Sequence, residues 1–108
     1  MTDNVLPFPK LQPQQRKSRV PSAAELTRTV RRMHRFNRML MHPRMKQLLR
    51  SITFVQVIAT IKHGEPLGKP VMNKHGDWEI TLKRVAAGRR TQITVALKAD
   101  YFVVVNAG

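Results

Sequence analysis

His42 stands directly before Pro43, and Arg44, Lys46 and Arg50 follow within two helical turns, so a titratable imidazole opens a run of cations. A cation run of this kind can hold a polyanion while the imidazole moves protons on it. Metal-free cleavage of RNA needs such a set: a base for the ribose 2′-hydroxyl, cations for the charge that builds on phosphorus, and an acid for the leaving oxygen. Proline suits the first turn of a helix and biases the preceding residue away from helical angles, which places His42 at a helix N-terminus. The positive end of the dipole and the nearby arginines disfavour protonation there, so His42 is expected to be a neutral base. Its second reading is a residue that only caps the helix. Arg50, one or two turns on, has the reach to clamp a scissile phosphate; its other reading is a solvated cation at the helix end.

Few other chemistries are open to this composition. The chain has no cysteine, which removes disulfides, thiolate metal sites and cysteine nucleophiles. His34, His42, His63 and His75 lack the spacing of a metal site, and six carboxylates are too few for a two-metal nuclease. There is no glycine-rich phosphate loop and no serine with plausible triad partners. Neither a metal nor a cofactor is expected.

The charge balance points to a polyanionic partner. Twenty Lys and Arg face six Asp and Glu, a formal charge of +14, well beyond what solubility requires. Between Leu26 and Gly64 there is no acidic residue, whereas Arg28, Arg31, Arg32, Arg35, Arg38, Arg44, Lys46, Arg50 and Lys62 all fall there. Such a stretch forms a continuous positive field. Six phosphate contacts drawn from it would make affinity fall by about three orders of magnitude between low and moderate salt. RNA is the foremost candidate, with the phosphate backbone of DNA also accessible to the same charges. No window approaches the length of a membrane span and no secretory signal is apparent, so a cytoplasmic location without membrane contact is expected.

The elements that must position these groups can be read from punctuation and period. Residues 1–20 are rich in proline, glutamine and cations and have no apolar period, which predicts a disordered tail, either a flexible leader or a basic arm for nucleic acid. Residues 21–41 read as a basic amphipathic helix. Ser22 and Glu25 form a capping box, Leu26, Val30, Met33, Leu40 and Met41 recur on one side, and Arg28, Arg31, Arg32, Arg35 and Arg38 on the other. Met45, Leu48 and Leu49 mark a second helix to about Arg50, with 37–41 open between helix end and short strand. Thr53 caps a third helix carrying Phe54, Val57, Ile58 and Ile61 and stopping at Gly64. Beyond Gly64 the period becomes alternating. Leu67–Met72 reads as an edge strand containing Pro70, Trp78–Leu82 and Ile93–Leu97 as hairpin strands closed around Ala87–Arg89, and Tyr101–Val105 as a buried strand. Trp78 and Tyr101 read as core, with base stacking as the alternative, and His75 as an exposed turn residue. The fold class is α+β, N-terminal helices packed on a three- to four-stranded antiparallel sheet.

The string His42, Lys46, Arg50, Ile52, Thr53, followed by an apolar helix to Gly64, resembles the opening of a bacterial and phage family of unknown function grouped with the RelE and BrnT type toxins. The resemblance covers about residues 38–106 and makes 42–108 a RelE-like α+β core. It implies a small metal-independent endoribonuclease, or a phage or mobile-element relative, in which Arg84, Arg89 and Arg90 at the hairpin supply transition-state cations. It also implies an acidic antitoxin as partner. A non-catalytic nucleic-acid-binding module, or one that binds an acidic host protein, is the competing expectation. The chain departs from the pattern in having Lys46 for an arginine, which loses the bidentate fork, and Ser51 for a glycine.

Overall fold

The computed structural model describes residues 20–49 and 52–108; Arg50 and nearly all of the segment expected to form a tail lie outside that range. Helix α1 spans Ala23–Arg35. Its capping box forms in full: Ser22 Oγ accepts from the Glu25 amide at 3.0 Å, and Glu25 Oε1 accepts from the Ser22 amide at 3.0 Å. Leu26 and Val30, one turn apart, bury the apolar stripe. The helix stops six residues short of the expected limit because Asn37 takes a left-handed φ of 59°, a conformation asparagine tolerates. Arg38 then turns back, its amide donating to Met33 O at 2.9 Å. Residues Met39–Met41 form strand β1 instead of a last helical turn.

Helix α2, Met45–Leu48, is one turn that plants Met45 in the core. Helix α3, Phe54–His63, has a second capping box, Thr53 with Gln56, and buries Val57 and Ile61. Phe54, expected on its apolar stripe, is about half exposed. The helix ends at Gly64 for a steric reason. A Cβ on Gly64 would lie 2.4 Å from Thr60 O and 3.0 Å from Lys83 O, so only glycine lets the helix end against the sheet.

Five further strands complete the sheet: β2 (Glu65–Pro66), β3 (Val71–Met72), β4 (Trp78–Ala86), β5 (Arg89–Leu97) and β6 (Phe102–Ala107). The order is β1-β6-β5-β4-β2, with β3 also on β4. The architecture is α+β, but the expected three- to four-stranded antiparallel sheet is corrected on two counts. The sheet has six strands and is mixed, because β1 runs parallel to β6, Met39 opposite Phe102 and Met41 opposite Val104. Of the expected strand 67–72 only Val71–Met72 is strand, as β3 on Trp78–Glu79; a second short piece, β2, precedes it on Leu82–Lys83. Left-handed Gly68 and donor-less Pro70 interrupt the run between them.

Strand alternation sorts side chains into two faces. Ile80, Leu82, Ile93, Val95, Phe102 and Val104 face the helices and form one core with Leu26, Val30, Met45, Val57 and Ile61. Trp78 and Leu97, paired across β4 and β5, pack on its margin, so Trp78 belongs to the core side. Burying a side chain the size of Leu82 or Phe102 contributes about 1.5–3 kcal/mol. The other face, carrying Glu79, Thr81, Thr94, Ala96 and Val103, has no helix over it.

Candidate nucleic-acid interface

The cations of α1 divide by their angle around the helix. Arg28, Arg32 and Arg35 fall at steps of four and three residues, share the outer face and are exposed. Arg31, rotated toward α3, is half buried and donates to the end of that helix. Its Nε reaches Ile61 O at 3.0 Å, and its Nη2 makes a short hydrogen bond to Gly64 O. The last carbonyls of a helix lack intrahelical donors, and Arg31 satisfies that of Ile61 together with the carbonyl of the C-cap residue Gly64. Its guanidinium is thereby committed to holding α1 on α3. Arg38 lies beyond the helix, exposed, with Nη1 3.9 Å from Asp100 Oδ2, a loose pair open to water.

The helix-free face of the sheet is a second surface. It forms an open groove of about 690 Å³ with an apolar floor including Ala96, Val103 and Val105, and the Thr81 and Thr94 hydroxyls 3.0 Å apart across it. The 73–77 turn walls one side, and His42 and Arg44 also line it. Charge here is mixed. Asp77 accepts from Lys98 Nζ at 2.5 Å and Glu79 from Asn73 at 2.9 Å, so both acids face the groove with partners. The hydrogen bond that Lys98 donates to Asp77, opposed by desolvation, holds the Lys98 ammonium above its ordinary range.

His42 extends β1, its amide donating to Val104 O at 2.9 Å, and is exposed. Its Nδ1 accepts from the Arg44 amide at 3.1 Å, while its carbonyl accepts from the Met45 amide. One ring nitrogen is thus engaged by the main chain, but His42 is not the helix cap: it lies two residues before Arg44, the N-cap of α2, which makes no side-chain cap bond. Lys46 is exposed on α2. The hairpin cations separate. Arg84, opposite Thr91, and Arg89, opposite Ala86, belong to the helix side, whereas Arg90, opposite Val85, belongs to the open side, where it bonds Gln92 at 3.0 Å. Arg90 lines a shallow recess sharing Thr94 and Asn106 with the groove. His42, Arg44 and Arg90 are therefore on one face, and the α1 arginines are on the opposite layer.

Two features were missed in the sequence. Phe36 is 68% exposed amid arginines, and its signal was present: it follows Arg28 and Arg32 at successive four-residue steps. The Lys98–Asp77 pair joins residues far apart in sequence and left no local trace. Among the described residues, no group of three or more His, Asp or Glu is arranged to hold a metal ion. No family model, no curated protein and no solved structure matches the chain.

Proposed function

We propose that this protein binds RNA through the outer face of α1. The observation that carries the reading is the exposed row Arg28, Arg32 and Arg35, continued by Arg38, in a stretch without acidic residues until Glu65. An excess of exposed guanidinium groups along one rigid helix and the turn after it matches a phosphate backbone, and the binding free energy comes from released counterions. Fluorescence anisotropy with labelled RNA at low ionic strength tests it. Binding that weakens steeply with salt is expected; indifference to RNA at low salt would overturn it.

A second reading, a RelE/BrnT-type endoribonuclease, is favoured by the open groove that brings His42 and Arg44 to the same sheet face as Arg90. Helices on one face of a sheet and an open opposite face also suit that arrangement. Such an enzyme would pair with an acidic antitoxin. Against it stand the engaged Nδ1 of His42 and the carboxylates of Asp77 and Glu79 in the groove. Expression of wild type, His42→Ala and Arg90→Ala, scored by growth arrest and RNA fragmentation, separates the readings. Binding without fragmentation is the outcome the first reading predicts, and fragmentation abolished by both substitutions would establish the second.

A further inference from the structure

An aromatic ring exposed at the end of a cationic helix is the least explained feature of the molecule. Phe36 follows the last residue of α1 and is 68% exposed, although helix, core and hairpin all have apolar surface that could cover a phenyl ring. Its backbone is fixed. The Phe36 amide donates to Met33 O at 3.0 Å, the Asn37 amide to His34 O at 3.0 Å, and the Arg38 carbonyl accepts from the Phe102 amide at 3.0 Å. The ring is thus carried on a turn tied to both α1 and the sheet. It borders a shallow cleft lined with Arg32, Met33, Arg38, Ala99 and Asp100.

We propose that Phe36 is a stacking platform for an unpaired base of single-stranded RNA, with Arg32 and Arg38 holding the phosphates on either side. This inference rests on the RNA-binding reading and adds to it the strandedness of the ligand and the place where a base sits. A phenyl face accepts any base, while guanidinium groups beside it take the backbone, the usual pairing of features in sequence-tolerant single-strand binding. A duplex keeps its bases stacked on each other and offers the ring nothing.

Charge selects a polyanion, and an exposed ring between the cations suits the polyanion that has flat bases between its charges. Arg32 and Arg38 line the cleft, Arg35 and Arg28 precede it along the same helix face, and Asp100 is the acid in the cleft. The C-terminal end of α1 adds about half a negative charge, which disfavours phosphate but is outweighed by full charges on the flanking arginines. Asp100, loosely paired with Arg38, partly opposes an incoming phosphate, so neutralising it should strengthen binding.

The test measures affinity of the full chain for a labelled single-stranded RNA of about twelve nucleotides and for the corresponding duplex. The panel is wild type, Phe36→Ala, Phe36→Trp and Asp100→Asn, with circular dichroism confirming that each variant is folded. Expected are a roughly tenfold loss of single-strand affinity in Phe36→Ala, retention in Phe36→Trp, a gain in Asp100→Asn, and little change in duplex affinity for the two Phe36 variants. Wild type that binds RNA while Phe36→Ala binds the single strand equally well would overturn the stacking site and leave the RNA reading standing; a protein-docking role for Phe36 gives that same result. Equal losses for single strand and duplex would overturn stacking as the cause. Wild type that binds neither RNA would overturn both.

Discussion

Arg28 and Arg31 sit three positions apart on α1, yet the same truncation should act on them differently. Arg28→Ala removes an exposed cation; unfolding free energy should stay within about 0.5 kcal/mol of wild type while the salt dependence of RNA binding falls by roughly one phosphate contact. Arg31→Ala leaves the Ile61 and Gly64 carbonyls without their donor, which should cost about 1–2 kcal/mol in urea unfolding, since the group is partly exposed. A reversed ranking in stability would show that the Arg31 contacts are not made. Lys98 gives a pH signature. Its folded pKa lies above the ordinary 10.5, so its contribution is fully present below that value and is lost as pH rises through the raised one. Wild type and Lys98→Met should therefore differ in stability at neutral pH and converge in strongly alkaline solution, as followed by urea titration at successive pH values. At this scale the sequence identified the exposed arginines but not Arg31, because the carbonyls it serves belong to a helix some thirty residues away.

The hairpin between β4 and β5 turns through Ala87 and Gly88 with φ of 54° and 73°, the pair of positive angles of a type I′ turn. Left-handed alanine is strained by about 1–2 kcal/mol, and asparagine tolerates the same angle. Ala87→Asn should therefore raise stability by about 0.5–1 kcal/mol, whereas Gly88→Ala should lower it by about 1 kcal/mol although no atom lies within 4 Å of the added Cβ. Thermal denaturation of the two variants checks both signs. Local chemistry was legible where it is local: the Ser22 capping box, the Thr53 cap, the stop at Gly64, the hairpin and the alternation of β4 and β5 follow from near neighbours. Strand β1 stood only as one of two alternatives, since Leu40 and Met41 keep the helical spacing of the α1 stripe and only pairing with β6, some sixty residues on, makes 39–41 a strand. The expected strand 67–72 shrank to Val71–Met72 because Gly68 takes a left-handed φ of 78° and Pro70 lacks a donor, and a glycine's backbone angle is not readable from its neighbours.

For the whole molecule, charge and fold divide the work between two surfaces. The helix layer carries arginines in large excess over acids, with Glu25 the one acid on α1, and the open sheet face carries a groove in which cations and carboxylates are interleaved. Composition revealed that a positive field exists, but not that the layered packing would put the α1 arginines and His42 on opposite sides. No helix among the described residues is long and apolar enough to cross a membrane. The central claim is that the α1 row meets phosphates. It is tested most directly by RNA affinity measured across a salt series for wild type and for the combined variant Arg28→Gln, Arg32→Gln, Arg35→Gln. The log–log slope for single-stranded RNA should flatten by about two units in the variant, with affinity at low salt falling at least tenfold. Identical slopes for the two proteins would contradict the claim.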